Sequence, residues 1–243
     1  MDMTLTEQCR EQGYCVLPSV FSEAEIEIFR TATTENLGRM GRTRDISHSY
    51  HLAGFHRFPS LTAVHTRIAG NDRLARFLTA CYGDTPYYAL GLSDITVNRS
   101  QHWHTDLLRG RYSHFLDQCD PWSEEAGVCL KALVYLQDGS SLRLVPRSHL
   151  SPLPLDDAAL ECLADTEDDI VRVEVRAGDV VMMDIRALHR GSTDDDMRST
   201  TLVQHPKILV STVFGPIASP LSCAMAIGNA HRMADWDRLY LNR

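Results

Sequence analysis

His102-Trp103-His104-Thr105-Asp106 decides how this chain is read, and a second stretch, Asp184-Ile185-Arg186-Ala187-Leu188-His189-Arg190-Gly191, completes it. Side chains two apart on a strand project from the same face, so His104 and Asp106 can grip one cation together. Two imidazoles and one carboxylate on one side of a metal form the arrangement of non-haem Fe(II) sites, which leaves coordination positions open for a cosubstrate and O2. The third ligand must come from elsewhere, and His189 is the candidate. The His-x-Asp spacing alone is weak: with eleven histidines and 32 acidic residues in 243, on the order of one such match is expected by chance.

The surrounding texture places both stretches in a β-rich core. Short β-type runs occupy Ser93 to Asn98, Val128 to Leu136, Leu142 to Val145, Val171 to Val175, Val180 to Met183, Thr200 to Val203 and Ile208 to Phe214. Turn residues at Asp138-Gly139, Pro146, Ala177-Gly178-Asp179 and Gly191-Ser192 separate them. Upstream, Ser22 and Glu25 have capping-box spacing and open a helix ending near Gly38, while Asn71-Asp72 opens a second that closes at Gly83. Residues 41 to 60 lack periodicity and read as a long loop. A small helix is expected over Leu155 to Ala164, and a terminal one over Ala234 to Leu241. Helices first and strands afterwards imply an all-β core with helical supports.

A chain of 243 residues with 44% hydrophobic content can bury one substantial core, so a single domain over 1–243 is expected. Its net charge of −8 comes with no basic stripe, which excludes an electrostatic footprint for nucleic acid. No apolar run approaches the roughly 20 residues of a membrane span, and the first residues hold no signal-like apolar stretch, so a cytoplasmic protein is expected. Seven cysteines without paired spacing fit neither a disulfide framework nor a zinc knuckle. Lysine is nearly absent: Lys131 and Lys207 are the only two among 24 cationic residues. Lys131 lies inside the apolar run Val128 to Leu136 and must face either a pocket or solvent.

In order, Trp103-His104-Thr105-Asp106, Val145-Pro146-Arg147-Ser148-His149, Ala177-Gly178-Asp179-Val180-Val181, Leu188-His189-Arg190-Gly191 and Met197-Arg198-Ser199-Thr200-Thr201-Leu202 resemble the phytanoyl-CoA dioxygenase family. Gly13-Tyr14-Cys15-Val16-Leu17-Pro18 extends the likeness toward the amino terminus. The resemblance implies a double-stranded β-helix, a jelly roll of cupin-like type, mainly β with supporting helices. It implies Fe(II), 2-oxoglutarate and O2 as cofactor and cosubstrates, with succinate and CO2 released as a C–H bond of a small molecule is oxidised, in the first instance by hydroxylation. His104, Asp106 and His189 would hold the iron.

The distal carboxylate of 2-oxoglutarate needs a cationic partner, and arginine suits a carboxylate by its planar fork. In the family that arginine follows the second iron-binding histidine by about ten residues at the start of the next strand. The resemblance therefore points to Arg198, with Arg186 and Arg190 as rivals that begin no strand. Lys131 and Thr105 are further candidates beside the cosubstrate. Substrate-side candidates are Arg109 and Arg111, which follow the iron motif and suit an anionic group, together with His102 and Asn98. Two departures stand out: Arg147 replaces the usual glycine of a Pro-Gly-Ser-His turn, and the loop from His189 to Arg198 looks short. Relatives that halogenate replace the carboxylate ligand, whereas Asp106 is retained. A cupin-like metal enzyme without 2-oxoglutarate, or a non-catalytic binding module, are the competing readings. Substrate identity and oligomeric state are not legible.

Overall fold

A computed structural model describes residues 4–42, 46–152 and 170–240. Along the chain run α1 (Leu5–Gln12), β1 (Tyr14–Leu17), α2 (Glu23–Glu35), β2 (Gly41–Arg42), β3 (Tyr50–Ala53), α3 (Pro59–Ala69), α4 (Asp72–Tyr82), β4 (Tyr87–Val97), β5 (Leu130–Tyr135) and β6 (Gly139–Leu144). Then follow β7 (Val171–Val175), β8 (Val180–Asp184), β9 (His189–Arg190), α5 (Asp194–Met197), α6 (Thr201–Gln204), β10 (Ile208–Pro216) and α7 (Pro220–Tyr240). Seven strands form one sheet in the order β1-β8-β5-β10-β4-β3-β2, and three form a second, β7-β6-β9. Every strand pairing is antiparallel. This is the jelly-roll arrangement expected, with two sheets that do not close into a barrel.

Both faces of the large sheet are covered, which explains why β5 is buried at all six positions. Ala132 and Val134 face the helices, sharing a cluster with Phe29 of α2, Leu61, Val64 and Ile68 of α3, and Leu74 and Leu78 of α4. Leu133 and Tyr135 point the other way and pack with Leu142, Leu144, Val173 and Val175 of the small sheet. By the same alternation Lys131 faces the space between the sheets. Among the described residues no helix is long and apolar enough to cross a membrane.

Three expectations need correction. Thr200 to Val203 is not a strand: Thr193 caps α5 by a reciprocal box with Asp196, and the chain goes on into α6 before β10 begins. Its β-branched residues suggested a strand, but the segment turns helical after the capped α5, with Val203 N–H donating to Thr200 C=O and His205 N–H to Thr201 C=O. Residues 41 to 60 are more than a loop, since β3 pairs with β4 and α3 opens at Pro59, a favoured first helical position. The terminal helix starts at Pro220 rather than near Ala234; its buried side includes Ser222, Asn229 and Asp235, which breaks the apolar stripe. The helix expected over Leu155 to Ala164 lies outside the described residues.

Arg147 adopts φ 68°, the left-handed region that suits glycine. The turn keeps its shape despite the substitution, because Arg147 N–H donates to Gln12 C=O at 3.0 Å and Ser148 Oγ bridges Val145 C=O and Leu188 N–H. That turn sits directly against the strand carrying His189.

Candidate metal centre

His104 and His189 face each other as an antiparallel pair, exchanging backbone hydrogen bonds of 2.9 and 3.0 Å. Their ring centroids lie 4.3 Å apart. Two residues on, Asp106 N–H donates to Ile185 C=O at 2.8 Å, which fixes the carboxylate over the same spot. Ligand atoms of His104, Asp106 and His189 all lie within 4.8 Å of one another. These three are the only such His/Cys/Asp/Glu group among the described residues.

Each imidazole is oriented through its other nitrogen. Nδ1 of His104 meets His102 C=O at 2.6 Å, and Nδ1 of His189 meets Ala187 C=O at 3.0 Å. A carbonyl can only accept, so Nδ1 carries the proton and Nε2 presents its lone pair inward. Burial pushes both histidines below their ordinary pKa, and for His104 the neighbouring His189 adds to the effect. Both are therefore neutral, the form a metal needs. For Asp106 burial pushes upward, but Lys131 and the two imidazoles outweigh it and hold the carboxyl well below the usual range. Lys131 Nζ donates to Asp106 Oδ1 at 2.7 Å, while Oδ2 is buried, 3.6 Å from His189 Nε2, and has no hydrogen-bond partner. An orphaned carboxylate oxygen between two inward lone pairs is costly unless a cation takes it up. The residues present thus fit an iron ion.

Beside the triad a cavity runs between the sheets, with Lys131 and His189 at one end and Lys207 among its lining residues. Next to it a second ionic network forms around Asp94 of β4. Arg232 of α7 grips Asp94 through two bonds of 2.9 and 2.8 Å, and His51 Nε2 lies 3.1 Å from the same carboxylate. Burial, with Arg99 nearby, brings His51 down to about 4, so it stays neutral despite its carboxylate neighbour.

The other candidates are distributed unevenly. Lys131 faces the cavity, as one of its two possible orientations required. Thr105 is buried, its Oγ1 has no hydrogen-bond partner, and it is not among the residues lining that cavity. Arg198 ends α5 as an exposed side chain paired with Asp195 at 3.6 Å, on an outer depression shared with Trp103 and Arg190. It neither begins a strand nor lines the inner cavity, because α6 separates it from β10. His102 lies at that outer depression and contributes its carbonyl to His104. Asn98 is buried and structural: at φ 48° its amide donates to His48 and Leu202 carbonyls and accepts from Lys207 N–H. Arg111 is committed to Asp235 at 2.7 Å and stacks on Tyr112, away from the triad. Arg109 is exposed, yet near enough to add to the lowering of the His189 pKa. Sequence reading passed over Arg232, Asp94 and Lys207, and of these only the scarcity of lysine marked one in advance.

The profile of the phytanoyl-CoA dioxygenase family matches residues 9–199. No curated protein sequence matches the chain. Among solved structures, the non-haem α-ketoglutarate-dependent carbocyclase SnoK from nogalamycin biosynthesis shares 22% identity over 89% of this chain and 84% of its own, at a TM-score of 0.64. The epimerase SnoN from nogalamycin biosynthesis, in complex with Fe3+, α-ketoglutarate and nogalamycin RO, shares 21% identity over 87% and 82% of the two chains at 0.62. HygX from Streptomyces hygroscopicus, with nickel, 2-oxoglutarate and hygromycin B bound, shares 20% over 86% and 85% at 0.61. At such identities these likenesses show a common fold.

Proposed function

The chain belongs to the phytanoyl-CoA dioxygenase family of Fe(II)- and 2-oxoglutarate-dependent oxidoreductases, and from that premise we propose that His104, Asp106 and His189 hold its iron within a single oxygenase domain that hydroxylates a small molecule. The observation that carries this reading is the triad itself: two neutral imidazoles with inward Nε2 atoms around an unpartnered Asp106 Oδ2. Bound there, Fe(II) with 2-oxoglutarate and O2 supplies the oxidising chemistry and releases succinate and CO2.

The chain's own residues prepare the site. His102 and Ala187 carbonyls fix the imidazole tautomers. Lys131 occupies Asp106 Oδ1, which leaves one carboxylate oxygen for the metal and keeps the group ionised. Trp103 and Leu188, each next in sequence to a triad histidine, are buried and pack together. Antibiotic-type small molecules bound by the structural neighbours support a small-molecule substrate here too. Arg109, exposed beside the triad, supports an anionic group on that substrate; Arg111 does not, being bound to Asp235.

The test is metal and cosubstrate loading. Anaerobic protein should take one Fe(II) per chain, and 2-oxoglutarate should then raise the weak visible charge-transfer band of a chelated keto acid. His104→Ala and Asp106→Ala should each abolish stoichiometric iron. Wild-type iron binding in both variants would overturn the assignment. A panel of small molecules screened for stimulated succinate release then identifies the substrate, and Arg109→Ala should raise its KM in a salt-sensitive way.

A further inference from the structure

We propose that Lys207, cradled by Ser141 and Ser192, receives the distal carboxylate of 2-oxoglutarate in this chain. The inference rests on the iron and 2-oxoglutarate reading above and assigns a residue that the sequence motifs pass over.

Of 24 cationic residues only two are lysines, and both line the cavity beside the triad together with one arginine, Arg99, which lies close enough to His51 to help lower its pKa. Lys131 is engaged at the metal end, on Asp106. Lys207 stands immediately before β10, and its Nζ donates to Ser192 Oγ at 2.7 Å and to Ser141 Oγ. An ammonium carries three donors, so these two bonds leave one for a ligand. Among the described residues no carboxylate pairs with it within 4.0 Å. Burial pushes its pKa down to about 8, opposed only by the more distant Asp196. A partly buried cation held by neutral hydroxyls is unfavourable unless an anion joins it.

What lies between the two lysines fits the rest of the molecule. Leu133, Leu142 and Leu209 line the cavity together with Tyr135 and the polar Thr96, Gln101 and Ser211; the leucines give a methylene arm apolar contact between a metal-chelating end and a distal carboxylate. The position of Lys207 is also fixed by its backbone. Asn98 and Lys207 exchange bonds of 2.9 and 2.8 Å, which pins the start of β10 to the end of β4. Asn98 is thus a positioning residue for Lys207. Arg198 cannot serve, since α5 and α6 leave it on the outer surface, paired with Asp195.

The experiment compares two keto acids on anaerobic Fe(II)-loaded protein by titrating the charge-transfer band, with calorimetry on Mn(II)-loaded protein as a second readout. 2-Oxoglutarate carries the distal carboxylate; 2-oxobutyrate chelates without it. Lys207→Met should weaken 2-oxoglutarate by about tenfold or more, the worth of one charge-assisted bond, and leave 2-oxobutyrate and iron stoichiometry unchanged. The unchanged 2-oxobutyrate affinity certifies a folded site. Should Lys207→Met misfold, Ser141→Ala with Ser192→Ala asks the same question and should weaken 2-oxoglutarate selectively. Arg198→Ala should bind both keto acids like wild type. If the Lys207 and serine variants keep wild-type 2-oxoglutarate affinity, or Arg198→Ala loses it, the assignment is wrong while the iron reading stands. If wild type itself gives no band with either keto acid, the 2-oxoglutarate reading falls, and this inference with it.

Discussion

The two ends of the inner cavity are built in different ways. At the metal end, His104, Asp106 and His189 are fixed by backbone pairing: the histidines exchange ladder bonds, and Asp106 follows by strand alternation. At the far end, Lys207 is held by side chains from distant segments, Ser141 of β6, Ser192 after β9, and Asn98 after β4. A ligand triad needs its atoms within a fraction of an ångström, so it is tied to a short sequence pattern. A lone cation needs only to arrive at the right place in space, and intervening helices such as α5 and α6 can move it along the chain.

The strongest test of that contrast uses Arg232, which comes from α7 yet serves Asp94 beside the metal end. Arg232→Ala removes the cationic partner of a buried carboxylate, leaving it His51 and the Gly54 N–H, and should cost about 3 kcal/mol of stability, read as a lowered urea midpoint. A cost below about 1 kcal/mol would mean that Asp94 finds another partner, and that the carboxy-terminal helix is less tightly tied to the site than its geometry implies.

Lys131→Met probes the metal end from within. Asp106 Oδ1 loses its partner, and iron affinity should fall by about 10- to 100-fold, the usual effect of removing an outer-shell group. Competition with a chelator measures it. Unchanged affinity would show that backbone alone sets the carboxylate.

A pH series distinguishes the far end. Because burial lowers Lys207 to about 8, its charge is present below that value and is lost as pH rises through it. Bound dianion delays the loss, so 2-oxoglutarate affinity should decline above about pH 8 in wild type and stay level in Lys207→Arg, whose guanidinium does not titrate. Asp196, on α5 and close to Arg143, remains ionised throughout this range and cannot produce the decline. Parallel curves for the two proteins would rule out Lys207 as the titrating group.

The smallest expected effect lies in the turn that supports His189. Arg147→Gly relieves a left-handed residue and should raise stability by about 1 kcal/mol, seen as a higher Tm, with iron binding unaltered.

The same contrast governs how much could be read from sequence. His104 and Asp106 could be paired because strand alternation acts over two residues; β5 and β8 were legible as apolar runs flanked by turns, and β7 as an alternating Val-Arg-Val-Glu-Val. His189 was recognisable by its place after β8. Arg198 was chosen by spacing along the chain, whereas its side chain lies at an outer depression beside Asp195, and Thr200 to Val203 looked like a strand. Of the two short helices there only the first is capped, by Thr193, a signal present but outweighed by the β-branched residues that follow. In α3, Pro59 and the spacing of Leu61, Val64 and Ile68 were a readable helix signal that the polar stretch before it obscured. The full length of α7 was hidden because Asn229 and Asp235 are buried by polar partners, Arg232 for one and Tyr112 and Arg111 for the other. Such pairings are tertiary facts with no local period.

The ladder pair between His104 and His189 also sets an order of events during folding. Its members are separated by the stretch that holds β5 to β8, so the pair is a long-range contact that needs His189 in place. A growing chain therefore has no complete trap for a metal until its second histidine has emerged and docked, and ions met earlier find at most a loose His-x-Asp pair.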